Sequence, residues 1–421
     1  MLTVLREPTY RRLFSAQIVA LLGTGLLTVA LGLLAFDLAG GQAGAVLGTA
    51  LAIKMLAYVL VAPVMAALVE RFAPKGVLIC ADLVRAGVAL SLPFIDQTWQ
   101  IYAAVFVLQS ASATFTPAFQ SLIPRVLTRE RDYTSAISLS RLAYDLESLI
   151  SPLLAAMLLT VMAYNNLFLG TVAGFVFSAI LVAVTRLPGT SPGVSPGSLL
   201  HRTTLGTRIF LREPPLRALA ALNLVVACAT ALVLVNTVVY ARDIFALSNA
   251  DVAIALACYG SGSMVVALST PWVLERVKEK TVMLAGGLLL PPSLGAAALI
   301  VWAEQSWPLL LLTWVVLGMG TSMISTPSAR LLRRHSNDVD RSFVYTAQFS
   351  LSHACFLISY PLAGWLGAAA GQPAAAGALG LVATLGTVAA IRLWKVRSTN
   401  DAVSPQDLKE SVPSEQRRTG S

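Results

Sequence analysis

Long apolar runs recur along the chain, broken by short segments that carry charge or Pro/Gly clusters. A helix needs roughly 20 apolar residues to cross the hydrocarbon core of a bilayer. Helices satisfy their own backbone hydrogen bonds there, where no water can. The breaks predict twelve spans, over 12–36, 43–69, 77–95, 100–123, 134–162, 165–186, 216–241, 250–274, 281–302, 306–329, 341–369 and 374–394.

The longest break contains LPGTSPGVSPGSLLHRTTLG, whose Pro, Gly and Ser content predicts a linker at mid-chain. The expected organisation is an N-terminal six-helix bundle over 1–187, a cytoplasmic linker over 188–215, a C-terminal six-helix bundle over 216–397 and a disordered cytoplasmic tail over 398–421. The stretch TRIFLREPPLRAL reads as an amphipathic helix on the inner membrane surface. The first apolar run is too long for a signal peptide and reads as the first span.

Composition agrees. Of 421 residues, 56% are hydrophobic and 12% charged, against about 25% charged in soluble domains. The formal charge of +9 would suggest nucleic acid in a soluble protein, but its distribution points to a membrane. With the N-terminus in the cytoplasm, nearly every Lys and Arg falls in an inner loop or terminus. Arg242 alone lies in an outer loop, and Lys54, Arg85 and Arg141 lie within spans. That bias sets a multi-pass cytoplasmic-membrane protein with both termini inside. Cys80, Cys228, Cys258 and Cys355 lie in apolar runs without CxxC spacing and read as small packing residues.

The two halves echo each other. LVERFAPK over 68–75 follows the second span, and VLERVKEK over 273–280 follows the eighth. TPAFQSLIPR begins at Thr116 near the end of the fourth span, and TPSARLLRR begins at Thr326 near the end of the tenth. ISPLLA with Pro152 in the fifth span has its counterpart in ISYPLAGW with Pro361 in the eleventh. The predicted fold class is therefore all-α: twelve transmembrane helices in two pseudo-symmetric six-helix bundles. Transporters built from such parallel halves hold substrate between them near the midplane.

These motifs resemble the major facilitator superfamily over nearly the whole chain. In AALVERFAPK, residues Leu68, Glu70, Arg71 and Lys75 fit the superfamily's loop pattern G-x-L-a-D-R-x-G-R-K, with Ala66, Ala73 and Pro74 departing from it. Glu275 and Arg276 repeat the Glu-Arg pair in the second half. ADLVRAG and FTPAFQSLIPRVL are similar to twelve-span drug/proton antiporters of the macrolide-efflux type. Ser151-Pro152-Leu153-Leu154-Ala155 resembles the antiporter pattern G-P-x-x-G, small residues replacing both glycines. The resemblance implies export of a small molecule against protons, with Pro152 and Pro361 as hinges and substrate contacts on spans one, four, seven and ten. Polar and aromatic candidates there are Gln17, Gln109, Asn223, Asn236, Tyr240 and Trp314. Their mostly apolar setting suits a moderately hydrophobic compound.

Charges at bilayer depth are expensive and mark function or internal pairing. Lys54, Arg85 and Arg141 balance Asp82, Asp145 and Glu147. Asp82 and Arg85 are three apart and share a helix face, as a structural network or a coupling site. Arg141 and Asp145 also share a face. Glu147, about 200° further round than Asp145, faces elsewhere, which leaves it a lone carboxylate. Either carboxylate could face the cavity as a proton carrier. The resemblance implies that spans two and eleven lie close, which puts His353 of the eleventh near Lys54, as a packed core residue or part of a gate.

The expected partners are thus a small-molecule substrate, protons and the lipid bilayer, with no nucleic acid, no cofactor, no metal and a monomeric state. HExxH, GxSxG and P-loop motifs are missing from the sequence, so an enzyme is not expected. Two alternatives stay open: a metal-cation or siderophore exporter, and a membrane sensor without transport.

Overall fold

A computed structural model describes residues 2–61, 73–127, 129–186, 207–304, 306–336 and 341–395. Outside the described residues lie Leu68, Glu70 and Arg71, the linker up to residue 206, the tail, and the side chains of Arg141 and Asp145.

Among the described residues the chain forms twelve helices of fourteen residues or more and no strand. They are α1 (Pro8–Ala39), α2 (Ala43–Leu56), α3 (Pro74–Ser91), α4 (Thr98–Val126), α5 (Glu130–Leu159), α6 (Asn165–Val184), α7 (Pro214–Val239), α8 (Asn249–Val273), α9 (Glu279–Leu299), α10 (Trp307–Arg334), α11 (Arg341–Ala370) and α12 (Gln372–Lys395). Each coincides with a predicted span to within a few residues, apart from the second, whose described part ends at Val61. Nine stretches among the described residues are long and apolar enough to cross a membrane, the first of them, Pro8–Val61, holding both α1 and α2. The chain is a multi-pass membrane protein.

Three helices end in π-turns that the hydrophobic pattern did not foretell: Ala57–Val61 after α2, Tyr240–Ile244 after α7 and Ile300–Glu304 after α9. Such turns widen the helix and are frequent at functional sites. The amphipathic segment is helical over 207–212, breaks at Glu213, the N-cap of α7, and continues as the first turns of that helix. Pro152 and Pro361 sit inside α5 and α11, both of which run through them without a break.

Helices α1–α6 pack mainly on one another, as do α7–α12. The groups meet where α2 lies along α11 and α5 along α8. Small residues set the first of these contacts. A Cβ at Gly364 of α11 would strike the Gly44 carbonyl and come within 3.1 Å of the Gly48 Cα, and one at Gly48 would sit 3.1 Å from the Gly364 Cα. The two backbones touch, which glycine permits and alanine would not. Trp365 Nε1 donates to Thr49 Oγ1 at 2.9 Å across this seam, and Gln42 Nε2 to the Ala368 carbonyl at 3.4 Å. Gly44, Thr49 and Gly364 all lie toward the face opposite the start of α1 and the end of α12.

At the terminal face the echo between halves becomes a contact. Lys75, second residue of α3, donates from Nζ to the Thr185 carbonyl at the end of α6 (2.9 Å). Lys280, second residue of α9, donates to the Trp394 carbonyl at the end of α12 (3.0 Å). A lysine at a helix C-terminus binds an otherwise unpaired carbonyl and meets the negative end of the dipole. Glu275 and Arg276, expected to mirror Glu70 and Arg71, are exposed, with Arg276 4.3 Å over the Trp272 ring. The charged contact in that loop is made by the buried Glu279 instead, with Arg334 at 3.1 Å and Arg330 at 4.0 Å. Glu279 opens α9, so its side chain points back toward the end of α10.

Candidate functional site

The site lies where α1, α2, α5 and α11 converge. Glu147 stands 17 residues into α5, about 25 Å along a helix of about 45 Å. Its Oε1 lies against α1 at Gly25: a Cβ there would be 2.7 Å from it and would collide with Ser151. Lys54, one turn before the π-turn of α2, is close enough for the two charges to act on each other, and His353 on α11 feels Lys54 in turn. All three side chains are partly accessible. A cation, a carboxylate and an imidazole from both halves therefore lie in one region at mid-helix depth. Glu147 is not the lone carboxylate that its distance round the helix from Asp145 implied: its cationic neighbour comes from another helix, which spacing along one helix does not report.

Tyr58 of the π-turn packs edge-on against Phe349 (6.4 Å between centroids) and His353 (5.6 Å). The imidazole is fixed by Nδ1, 2.7 Å from the Phe349 carbonyl. Tyr58, four residues after Lys54, thus brings the π-turn of α2 against the His353 ring.

Asp82 and Arg85 do something different. They pair within α3, and Asp82 also accepts from Ser178 Oγ of α6 at 2.7 Å. The guanidinium is held between the rings of Phe115 and Phe175, 4.4 and 4.5 Å from their centroids. Both side chains are buried. The described groups around the pair come from α3, α4 and α6, so it ties these helices of the first bundle together.

The expected substrate residues divide. Gln17 is buried and accepts from Ser140 Oγ at 3.0 Å, tying α1 to α5. Gln109 is buried in α4. Asn223 and Gln348 form a reciprocal amide pair between α7 and α11 at 3.0 and 3.1 Å. Asn236, Tyr240 and Trp314 are fully buried in this structure. Trp314 donates to Thr237 Oγ1 (2.8 Å) and meets the Tyr240 ring edge-on (5.4 Å), while Asn236 donates to the Ala363 carbonyl (3.2 Å). These faces of α7 and α10 pack inward on neighbouring helices, which the hydropathy of single spans could not reveal.

Two features were missed. Thr230, Tyr259 and Thr321 form a hydroxyl chain across α7, α8 and α10, with links of 3.0 and 3.1 Å. An aromatic face runs along α11 through Phe349, His353, Phe356 and Tyr360. The i, i+4, i+7, i+11 spacing of those residues was the available signal. Among the described residues no group of three or more His, Cys, Asp or Glu side chains could hold a metal ion. Asp37, near the end of α1, and Asp96, after α3, are exposed.

A family model for the Major Facilitator Superfamily matches residues 13–295 and 223–418. The chain is 26% identical over 181 residues to macrolide efflux protein A of Streptococcus pyogenes (42% of this chain, 44% of that protein), and 27% identical over 152 residues to the protein of that name in Enterococcus faecalis (34% and 47%). The matched region spans less than half the length of either relative. Among solved structures, the fold is similar to a bacterial homologue of the human lysosomal transporter Spinster in an inward-facing, unoccupied conformation. That match has TM-score 0.75 and 12% identity, covering 95% of this chain and 99% of that one. It is similar too to the nucleoside transporter NupG, with TM-score 0.68 and 13% identity, covering 92% and 100%.

Proposed function

The chain belongs to the major facilitator superfamily, and on that premise we propose that it exports a moderately hydrophobic organic compound across the cytoplasmic membrane in exchange for protons, by alternating access. The observation that carries this reading is Glu147 set against Gly25 of α1, with the Lys54 charge near enough to act on it. The two residues sit at mid-helix depth, on helices of one half, in one region with a histidine of the other. A carboxylate there is a proton carrier whose partner can hold or release it as the halves move. The efflux relatives support the direction of transport, and the basic loops support cytoplasmic termini. The tight seam between α2 and α11, at the face opposite those termini, then closes the outer side of the pathway. Substrate would enter from the cytoplasm in this conformation. The organisation into two bundles joined by the 188–215 linker supplies the bodies that rock.

Flux into proteoliposomes under an imposed pH gradient tests the reading. Wild type is expected to accumulate substrate with the gradient, and Glu147→Gln to lose that dependence while still binding substrate. Gradient-driven flux unchanged in both Glu147→Gln and Asp145→Asn would remove this segment from the coupling.

A further inference from the structure

The expected substrate residues on α7 and α10 are buried, yet an aromatic surface on α11 is open. At about 100° per residue, Phe349, His353, Phe356 and Tyr360 fall within about 60° of one another round the helix. Their rings run in sequence: Phe349 to His353 at 4.0 Å, His353 to Phe356 at 6.5 Å and Phe356 to Tyr360 at 5.2 Å between centroids. Tyr58 of the α2 π-turn stands against the lower two rings from the other half.

A packing stripe would be buried along its length. Here only Tyr360, at the end nearest the glycine seam, is buried; Phe349 is 48% exposed, and His353, Phe356 and Tyr58 are half-buried. Nor does this face meet lipid. Ile358, nine positions beyond Phe349 and so about half a turn away, is 65% exposed and marks the bilayer side. The aromatic side carries His353 and approaches Lys54, groups that at this depth turn toward protein or an aqueous cavity. On this face the Phe349 carbonyl takes His353 Nδ1 at 2.7 Å and Ser352 Oγ at 2.9 Å. The exposed rings beside it favour offset or edge-on contact with other rings.

We propose that Phe349, His353 and Phe356 of α11, with Tyr58 of α2, form a recognition surface for flat aromatic ligands, placed between the two halves. Identifying such ligands as the cargo rests on the exporter reading. Because Tyr58 and Phe349 belong to different halves, the surface is complete only while the halves are closed over it on the seam side, and rocking them apart there separates the rings.

Equilibrium binding to the purified full chain in detergent tests this without any gradient. The probes are a planar acridine dye and an aliphatic amphiphile of matched hydrophobicity and charge. The dye is expected to bind wild type. Phe349→Ala and Tyr58→Ala should each weaken it about tenfold, while Phe349→Tyr retains affinity and Ile358→Ala, on the lipid side, changes nothing. Thermal melts confirm folding, and Phe349→Leu substitutes if the alanine variant does not fold. The proposal is overturned if wild type does not bind the dye, if Phe349→Ala or Phe349→Leu binds as wild type does, or if the amphiphile binds equally well and loses as much. Ring-dependent binding without gradient-driven flux would sink the exporter reading and leave this surface standing.

Discussion

Glu147 of α5 is pressed against Gly25 of α1, so closely that one added methyl group at position 25 would lie 2.7 Å from its Oε1. The carboxylate therefore has a backbone wall on one side and the Lys54 charge within reach. Gly25→Ala is expected to displace Glu147 and Ser151 together and to cut transport at least tenfold. Gly32→Ala, where the new atom would meet only the Leu47 side chain at 3.9 Å, should leave it unchanged. Initial rates of efflux from loaded cells, normalised to protein in the membrane, decide the comparison.

Lys54 and Glu147 should behave as a unit. Removing one charge leaves the other without its partner in a site of low dielectric, which is worse than removing both. Lys54→Met and Glu147→Gln should each lower the melting temperature more than the double variant does. A double variant whose loss equals the sum of the two single losses would show that the charges act independently.

The Asp82–Arg85 pair predicts a stability effect rather than a coupling effect. Asp82→Ala removes the carboxylate paired with a buried guanidinium and should destabilise the protein by about 3–5 kcal/mol. Ser178→Ala, which removes one of the carboxylate's hydrogen bonds, should lose about 1 kcal/mol. The ratio of folded to aggregated protein on size exclusion reads both. For Ser178→Ala, transport per folded molecule should match wild type.

The seam between α2 and α11 depends on contact of main chains. Gly364→Leu should hold the helices apart at that face, abolish transport and leave a thiol introduced at Thr49 open to membrane-impermeant maleimide added from outside. Gly377→Leu, a position where an added Cβ meets nothing within 4 Å, serves as the reference. Labelling of Thr49→Cys no faster in the Gly364→Leu background than in the reference would refute the closing role.

Span positions were readable because they rest on local quantities, the length of an apolar run and the residues that break it. The repeat was readable too, because Lys75 and Lys280 stand at matching places. What sequence withheld was which faces turn inward. Trp314 and Asn223 have similar surroundings in sequence, yet one is sealed in the core and the other holds an amide pair with Gln348. The partner of Glu147 was hidden for a related reason. Helical spacing relates Arg141 to Asp145, whereas Lys54 reaches Glu147 only through the packing of α1, α2 and α5. The π-turn that presents Tyr58 follows no hydrophobic period at all.

The lysine clasps at Thr185 and Trp394 bear on how such a chain ages. Threonine and tryptophan share no chemistry, and nothing in either would suggest an equivalent role. Each lysine binds a peptide carbonyl, which every substitution at the accepting position leaves in place. Between two such halves, substitution could rewrite the receiving end of this contact freely, provided the donor stayed at the start of its helix. Kinship between the two halves is thus written more durably in their main-chain hydrogen bonds than in the letters of their sequence.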